Sequence, residues 1–353
     1  MQQLGFTLPR ETMANWIIYV AENYFYPIYE RLHEELLKRG LVHADETTCQ
    51  VLREKGRTAE QTSYMWLYTT GSDALTPIIL YDYQPSRKGS CAQNFLEGFR
   101  GLVQCDGYQG YNKLEDVILV CCLAHARRKF FEAVPAARRK RLKLLDINSD
   151  VAIEDINLPD EEEAKQLLPA EIRLLYCNKL FYLERTLKDL NPEERKQQRD
   201  VLEQPVWDQF WNWLDTLHPT GGSKLGKAVN YAQNHHDTLM NYLLDGRCEI
   251  SNNRAERKAK GYAIGRKAFL FHTSEAGAGA SAVMYSIVET AKANNLNIFQ
   301  YLYTVLLYMP DYMNSSAGIE QLMPWSEFIK EQCSGLIDVE SNVPEKRIPL
   351  PHR

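Results

Sequence analysis

The chain has 353 residues, of which 44% are hydrophobic and 25% charged, and its formal net charge is −5 at pH 7. These values are typical of a globular protein with two domains or one domain carrying a large insertion, and they argue against a protein that coats nucleic acid non-specifically. The N-terminus has no basic or apolar leader, and the longest uncharged apolar run, 117–124, is too short to cross a bilayer, so a cytoplasmic location without membrane contact is predicted.

Eight cysteines are scattered along the chain and include no CxxC pair. Neither a disulfide framework nor a zinc ribbon is indicated, so reduced thiols are expected. Cys121, Cys122 and His125 form the one cluster of soft ligands, and they lack a second pair at zinc-site spacing. A zinc ion held by this cluster is the alternative reading.

Charge is unevenly distributed along the chain. Residues 125–143 are strongly basic with Glu132 as their only acid, residues 146–163 contain acids and no bases, and residues 253–267 are basic again. The basic segments predict an anionic partner on local surfaces despite the negative net charge.

The first predicted element is a helical segment over 7–40. Apolar side chains recur there at four-residue steps from Trp16 to Leu36, which is the spacing of one helix face. Pro27 is expected to kink this segment or divide it into two helices, and Gly40 to end it.

The pattern then changes to that of strands. β-rich runs separated by polar turns predict an antiparallel meander of three strands, a short helix and two more strands. The last strand is almost wholly apolar, as expected for a strand covered on both faces. The predicted ranges, in chain order, are 41–52, 63–70, 76–84, 91–99 (the helix), 101–108 and 116–125.

No strand is predicted between 126 and 244, where the apolar spacing is helical. Within this all-α block, three tryptophans are predicted to be core residues and two adjacent histidines to lie at the surface: Trp207, Trp211, Trp213, His235 and His236. Two further helices are predicted over 251–271 and 281–308, and the alanine–glycine run 275–282 is interpreted as a flexible joint before the second of them.

Two aspartates stand in or at the end of predicted strands. Strand alternation places Asp45 on the face of His43, and Asp106 on the face of Gln104. If these strands are neighbours the carboxylates converge, and a hard divalent cation such as Mg²⁺ or Mn²⁺ would relieve their repulsion. The alternatives are that Asp106 belongs to a simple Asp-Gly turn and that Asp45 is an exposed strand-end residue.

Glu256 also has two interpretations. Asn253 and Glu256 have the spacing of a capping box, in which the glutamate only binds the helix start. Alternatively, the polar face that Glu256 shares with Asn252 and Lys260 belongs to a site. Spacing alone leaves both open.

Three segments together resemble the transposases of the IS66 family of bacterial insertion sequences. They are LVHADETTCQVL at 41–52, RKGSCAQNFLEGFRGLVQCDGYQGYN at 87–112 with CCLAHARRKFFEA at 121–133, and EISNNRAERKAKGYAIGRKAFLF at 249–271. The resemblance continues to a closing LMPW and extends from about Leu8 to Glu327.

The resemblance implies an α/β fold of the ribonuclease-H-like (DDE transposase) type, with a mixed five-stranded sheet, helices and a large all-α insertion. Asp45, Asp106 and Glu256 become the DDE triad, both as catalytic residues and as metal ligands. The implied domains are a helical leader at 1–40, a catalytic core at 41–134 and 246–310, the insertion at 135–245 and a tail at 311–353.

The chemistry implied is metal-dependent. Two Mg²⁺ or Mn²⁺ ions bound by the triad would support hydrolysis at the ends of the element and attack of the freed 3′-OH on target DNA. The implied partners are transposon-end and target DNA, a homo-oligomer formed on DNA, and accessory proteins of the insertion sequence. Phosphate contacts are expected from His125, Arg127, Arg128, Lys129, Arg254, Arg257, Lys258, Lys260, Arg266 and Lys267.

Members of this family usually carry a helical and cysteine-rich zinc-binding region before the catalytic domain, and only the end of that leader is recognisable around residues 8–20. The chain is therefore expected to be N-terminally truncated. A catalytically idle fragment that binds DNA or full-length transposase is the alternative function.

Overall fold

A computed structural model describes residues 8–73, 75–141 and 157–334. Most of the acidic run at 146–163 and the tail from 335 onward lie outside these residues. Within the part described, no helix is both long and apolar enough to cross a membrane.

Seven strands occur in the described residues. They are β1 Leu41–Cys49, β2 Val51–Arg53, β3 Ser63–Thr70, β4 Ile79–Gln84, β5 Gly101–Cys105, β6 Val117–Cys121 and β7 His272–Ser274. Five of them form a sheet in the order β4-β3-β1-β5-β6, in which β1, β3 and β4 are antiparallel neighbours and β1, β5 and β6 are parallel. This mixed sheet confirms the predicted ribonuclease-H-like fold and makes the first strand central.

The predicted first strand, 41–52, is in fact two strands. After Cys49 the chain leaves the main sheet, and β2 pairs in parallel with β7 to form a separate two-stranded sheet. The backbone N–H of His272 donates to the carbonyl of Gln50 at 2.9 Å. This hydrogen bond joins β7 to the chain at the residue where it leaves the main sheet. Residues far apart in the chain provide this partner, so local strand propensity did not reveal the break.

The N-terminal helix is divided as predicted. It consists of α1 Arg10–Val20, a π-helical segment Ala21–Phe25 and α2 Tyr26–Leu37. Pro27 lies in the first turn of α2 and has no N–H to continue the helical ladder, which accounts for the irregular segment just before it. Ile28, Leu32 and Leu36 of α2 are fully buried against the sheet.

The all-α block contains no strand in its described residues, as predicted. Before this block, α3 Gly89–Phe95 and a 3₁₀ turn Gln109–Lys113 lie between β4 and β6. The helices after β6 are α4 Leu123–Ala133, α5 Ala136–Arg141, α6 Glu161–Ala164, α7 Pro169–Thr186, α8 Pro192–Leu202, α9 Gln204–Leu214, α10 Lys224–Asn234, α11 His236–Met240 and a 3₁₀ turn Asn241–Leu244. Trp207 and Trp211 are buried in the core of this block, and Trp213 is partly buried. The same core includes Leu41, Leu102 and Val120, so the block packs on one face of the sheet.

A buried ionic network holds α7, α8 and the end of the block together. Arg199 binds both carboxylate oxygens of Glu184, at 2.6 and 2.9 Å, and donates to the carbonyls of Tyr242, Asp245 and Cys248. Glu203 accepts a hydrogen bond from the Tyr242 hydroxyl in the same network. The guanidinium of Arg199 is thus paired with Glu184, and Glu203 joins the network through Tyr242.

Glu203→Gln is expected to stabilise the protein at high pH. Burial, with Glu184 nearby, raises the pKa of Glu203 to about 9, whereas the unfolded chain ionises near a pKa of about 4.3. The contribution of protonated Glu203 to stability is therefore complete below the unfolded pKa and is lost as pH rises toward the folded pKa. Denaturant unfolding should show a gain of about 1–3 kcal/mol at pH 8 and much less at pH 5.

Glu193 on α8 is exposed and provides the matched control, since Glu193→Gln should change the free energy of unfolding by less than about 0.5 kcal/mol at either pH. A Glu203→Gln protein that is less stable than the parent at pH 8 would show that Glu203 is ionised in the folded state.

The remaining helices pack on both faces of the sheet. They are α12 Asn253–Phe269, α13 Glu275–Ala293, α14 Ile298–Tyr312, α15 Ser316–Gln321 and α16 Glu327–Gln332. The first of them shares a core with Met65 and Leu67 on the face of the all-α block, and the later ones share a core with Val42 and Trp66 on the opposite face. The chain after 311 is not a bare tail over its described part, because Leu322, Met323, Ile329 and Cys333 are fully buried in the main core.

The alanine–glycine run 275–282 is helical, so its interpretation as a flexible joint is wrong. Ser274 accepts a hydrogen bond from the Gly277 N–H and caps α13, which begins at Glu275. Further along α13, the Ser286 and Thr290 hydroxyls accept from the backbone N–H groups of Tyr81 and Ile79 on β4. Small side chains let the helix approach this edge strand closely and cover it.

Candidate active site

Asp45 lies on β1, and Asp106 directly follows β5, the adjacent parallel strand. In the register of β1 and β5, His43 is opposite Gln104, and each aspartate comes two residues later on the same face. Gln104 confirms the direction of that face, because its side-chain amide donates to the carbonyls of Glu249 and Ser251 just before α12. Neighbouring strands are about 4.8 Å apart, so the two carboxylates converge at this end of the sheet.

Asn252 attaches the start of α12 to β1. Its side-chain amide donates to the Ala44 carbonyl at 2.8 Å, and its side-chain oxygen lies 3.1 Å from Nδ1 of His43. Its backbone N–H also donates to the sulfur of Cys122 at 3.1 Å. All three partners are buried, so the helix start is held beside Asp45.

Glu256 follows one turn later, in the first turn of α12. The capping-box alternative does not occur, because Asn252 rather than Asn253 precedes the helix and no side-chain cap hydrogen bond is formed there. Glu256 instead lies close enough to Asp45 for its charge to act on that carboxyl, together with the charges of Glu46 and Asp106. The three predicted acids thus lie near enough for their charges to interact, whereas the donor atoms that lie within 4.8 Å of one another in the described residues are those of Cys122, His125 and Glu256.

The electrostatics of this cluster are unfavourable to ionised Asp45. Burial is the main cause that raises the pKa of Asp45 well above its usual range, followed by the negative charges of Glu46, Asp106 and Glu256. The Glu46 N–H, which donates to Asp45 at 2.9 Å, opposes that shift. Carboxylate oxygens are hard ligands, so the chemistry of this donor set fits Mg²⁺ or Mn²⁺.

Glu46 lies on the other face of β1, as strand alternation predicts, but it is not a surface residue. Its carboxylate is 1% exposed, accepts a hydrogen bond from the Tyr111 hydroxyl at 2.7 Å and forms an ion pair with Arg87. Arg87 also lies 3.7 Å from the carboxylate of Asp106. Glu46 and Arg87 are therefore charged neighbours of the triad that the motifs alone did not single out.

The soft-ligand cluster differs from the one expected. Donor atoms of Cys122, His125 and Glu256 all lie within 4.8 Å of one another, whereas the Cys121 sulfur lies 3.7 Å from Nδ1 of His235. Burial, with Glu256 nearby, raises the pKa of the Cys122 thiol to about 12, so a thiolate ligand is disfavoured there. His125, 3.7 Å from Glu256, faces the triad instead of completing a cysteine site.

The predicted DNA contacts occupy different environments. Arg257, Lys260 and Lys267 are exposed on α12, and Arg128 and Lys129 are half-buried on α4. Other members of the set also bind protein groups: Arg254 pairs with Glu249, Lys258 with Glu289, and Arg266 binds Thr48.

The environment of Arg127 differs from the predicted phosphate contact. This arginine is 2% exposed and donates to the side chain of Asn178 on α7 at 2.5 Å, so it joins the sheet domain to the α block and does not face a phosphate. Helical periodicity explains the difference, because Arg127 shares the inward face of α4 with Leu123 and Phe130.

The α block also reaches the site, which the sequence did not indicate. Gly107, next to Asp106, lies under Tyr231 and His235, and a Cβ added there would collide with the Tyr231 hydroxyl and come within 2.7 Å of Nε2 of His235. Lys129 lies 4.8 Å from the centre of the Tyr231 ring. His235 is thus not the plain surface residue expected, whereas His236 is exposed. The sequence gives no indication of this contact, because Gly107 lies far from Tyr231 and His235 along the chain.

Comparison with known proteins agrees with this geometry. The model of the transposase IS66 family matches residues 1–280, and that of the IS66 C-terminal element matches residues 286–325. The chain belongs to the IS66 transposase family. The resemblance predicted from the sequence is thereby confirmed over nearly the whole chain.

Similar proteins include y4hP and y4jD of Sinorhizobium fredii, both described as uncharacterized. They are 26% and 27% identical to this chain, each over 91% of it, and the chain spans 56% and 60% of their respective lengths. Among solved structures, the Drosophila P element transposase strand transfer complex aligns with 81% of this chain and 93% of that one, with 10% identity and a TM-score of 0.34.

Proposed function

We propose that this chain is the catalytic part of a DDE transposase that cleaves phosphodiester bonds at transposon ends and joins the 3′-OH to target DNA. One observation carries the proposal: Asp45 lies within β1, Asp106 directly follows the adjacent parallel strand β5, and Asn252 attaches the start of the helix that carries Glu256 to β1. Membership of the IS66 family supports the same reading. Mobile elements of this family are bacterial, so the proposed place of action is the cytoplasm.

The three carboxylates are the proposed ligands of two Mg²⁺ or Mn²⁺ ions. Such ions, when bound, lower the pKa of an attacking water and stabilise the entering and leaving oxygens of an in-line displacement. Asp45 and Asp106 would hold their oxygens on the rigid sheet, and Glu256 would complete the set from α12. His125, 3.7 Å from Glu256, is placed to donate a hydrogen bond to a phosphate oxygen at the reacting centre.

The proposed DNA surface adjoins the triad. Arg257, Lys260 and Lys267 expose their charges along α12, and Arg128 and Lys129 add to them from α4. Phosphate contacts of this kind fix the position of DNA without reading its sequence. We further propose that the core formed by 41–134 and 246–310 is interrupted by the insertion 135–245, and that a homo-oligomer and accessory proteins of the insertion sequence act with it on DNA.

The test is a strand-transfer assay with the chain as it stands. A precleaved transposon-end oligonucleotide with a free 3′-OH and a supercoiled target plasmid are incubated with Mg²⁺, with Mn²⁺ or with EDTA. Joined products that require the divalent ion and the 3′-OH are expected. An inactive protein that still binds the DNA in a mobility-shift assay would instead favour the idle-fragment function.

A further inference from the structure

Arg87 lies between two carboxylates at the edge of the candidate active site. Its guanidinium pairs with Glu46 on one side and lies 3.7 Å from Asp106 on the other. Within the described residues, it is the one arginine or lysine with a nitrogen within 4 Å of an oxygen of the proposed triad. The acidic cluster therefore already contains one positive charge.

The surroundings of Arg87 fix it at this position. The Tyr111 hydroxyl and Arg87 bind the same buried carboxylate of Glu46, and the guanidinium lies over the ring of Tyr108, 4.0 Å from its centre. Tyr108 in turn donates its hydroxyl to the Arg87 carbonyl and its N–H to Asp106 at 2.8 Å. Arg87 and Asp106 are thus held by the same tyrosine as well as by their charges.

The two contacts of Arg87 are unequal. The carboxylate of Glu46 is 1% exposed, so the ion pair with Arg87 stabilises its charge most. The carboxylate of Asp106 is 22% exposed and lies farther from Arg87. The side chain of Arg87 is itself 40% exposed. A cation can consequently replace Arg87 at Asp106 while Arg87 stays paired with Glu46.

We propose that Arg87 is a positioning residue that acts through Asp106: it neutralises and orients this carboxylate in the metal-free protein and competes with the divalent cation for it. This inference rests on the proposed function, because it takes Asp106 as a metal ligand. A positive charge beside a ligand oxygen opposes the approach of a cation, so divalent-ion affinity is lower than the carboxylates alone would provide.

The competition is measured directly as Mn²⁺ affinity. Electron paramagnetic resonance counts free Mn²⁺ during titration of the whole chain in the absence of DNA. We expect Arg87→Gln to bind Mn²⁺ about tenfold more tightly than the parent, and strand transfer to reach half its maximal rate at a correspondingly lower Mn²⁺ concentration. Arg87→Met, which keeps an alkyl stem on Tyr108, should shift the affinity in the same direction.

Arg100 is the matched control. It precedes β5, at the end of the sheet away from Asp106, and its ion pair with Asp116 is highly exposed at both residues. Arg100→Gln removes the same charge and should leave Mn²⁺ affinity unchanged. Thermal unfolding of each variant verifies that it is folded before titration.

The outcomes separate this inference from the proposed function. If the parent binds Mn²⁺ and Asp45→Asn abolishes that binding, but Arg87→Gln and Arg87→Met bind it with parental or weaker affinity, the competition is excluded while the metal site stands. If the parent binds no Mn²⁺, or binding survives Asp45→Asn, the metal site and the role of Arg87 are both excluded. An equal gain in Arg100→Gln would show that only net charge matters and would overturn the inference.

Discussion

Asp45→Asn is expected to reduce the rate of strand transfer by about a thousandfold or more without unfolding the protein. The substitution removes a charged ligand from the centre of the cluster, and each ligand of a metal site is needed for the same transition state. It keeps the side-chain oxygen that accepts from the Glu46 N–H. Rates are measured with the precleaved end, target plasmid and saturating Mn²⁺.

The fold should tolerate this change well. Neighbouring acids and burial raise the pKa of Asp45 well above its usual range, so an ionised Asp45 is disfavoured in the metal-free protein. A neutral asparagine relieves that repulsion, and Asp45→Asn is expected to unfold at the same or a higher temperature than the parent when no divalent ion is present. Stability retained together with activity lost distinguishes a catalytic effect from general damage.

Asp82 offers a control on the same sheet. It lies on β4, burial raises its pKa to about 6, and it binds the side chain of Gln84 rather than the triad. Asp82→Asn should retain strand transfer within about twofold, since the same chemical change is made away from the site. Asp106→Asn and Glu256→Gln should behave like Asp45→Asn, and a double substitution should cost little more than a single one. Full activity in any of the three would remove that residue from the proposed triad.

The second large effect is expected for Asn252→Ala. This change deletes the hydrogen bonds from the side chain to His43 and Ala44, and it leaves the buried Ala44 carbonyl without that donor. Loss of a buried hydrogen-bonded pair of this kind costs about 2–4 kcal/mol of unfolding free energy. Because the start of α12 then loses its side-chain hydrogen bonds to β1, strand transfer should also fall by about a hundredfold, although Glu256 is unchanged.

Asn253 supplies the comparison for this prediction. It is the next residue, it is half-buried, and no hydrogen bond of its side chain is seen within the described residues. Asn253→Ala should change the unfolding free energy by less than about 0.5 kcal/mol and leave the rate near that of the parent. Activity is assayed well below the unfolding temperature of each variant. If Asn252→Ala matched Asn253→Ala in both measurements, Asn252 would not position Glu256.

Much of the sheet and its acids followed from local patterns. Alternation along β1 and β5 placed Asp45 with His43 and Asp106 with Gln104, and the register of the strands confirms both pairs. Pro27 divided the N-terminal helix as expected. These features depend on neighbours a few residues apart, so side-chain period and backbone chemistry are sufficient to predict them.

Other features were predicted wrongly because the local sequence is compatible with more than one structure. The alanine–glycine run at 275–282 contains both strong helix formers and flexible residues, and its packing against the sheet decides for helix. Arg127 sits in a basic run that indicates a solvated face, yet helical phase turns it inward to Asn178. In both cases the partner that decides lies in a distant part of the chain.

Local patterns in the sequence predict the order along the chain of the five strands of the main sheet, the face of each aspartate and, through the motifs, the family. Three contacts at the site emerge from the packed structure alone: Asn252 joins α12 to β1, Arg87 stands between Glu46 and Asp106, and His235 covers Gly107. Each of these contacts pairs groups that belong to separate elements of the chain. Their geometry exists only after the elements pack, so no spacing within one segment encodes it.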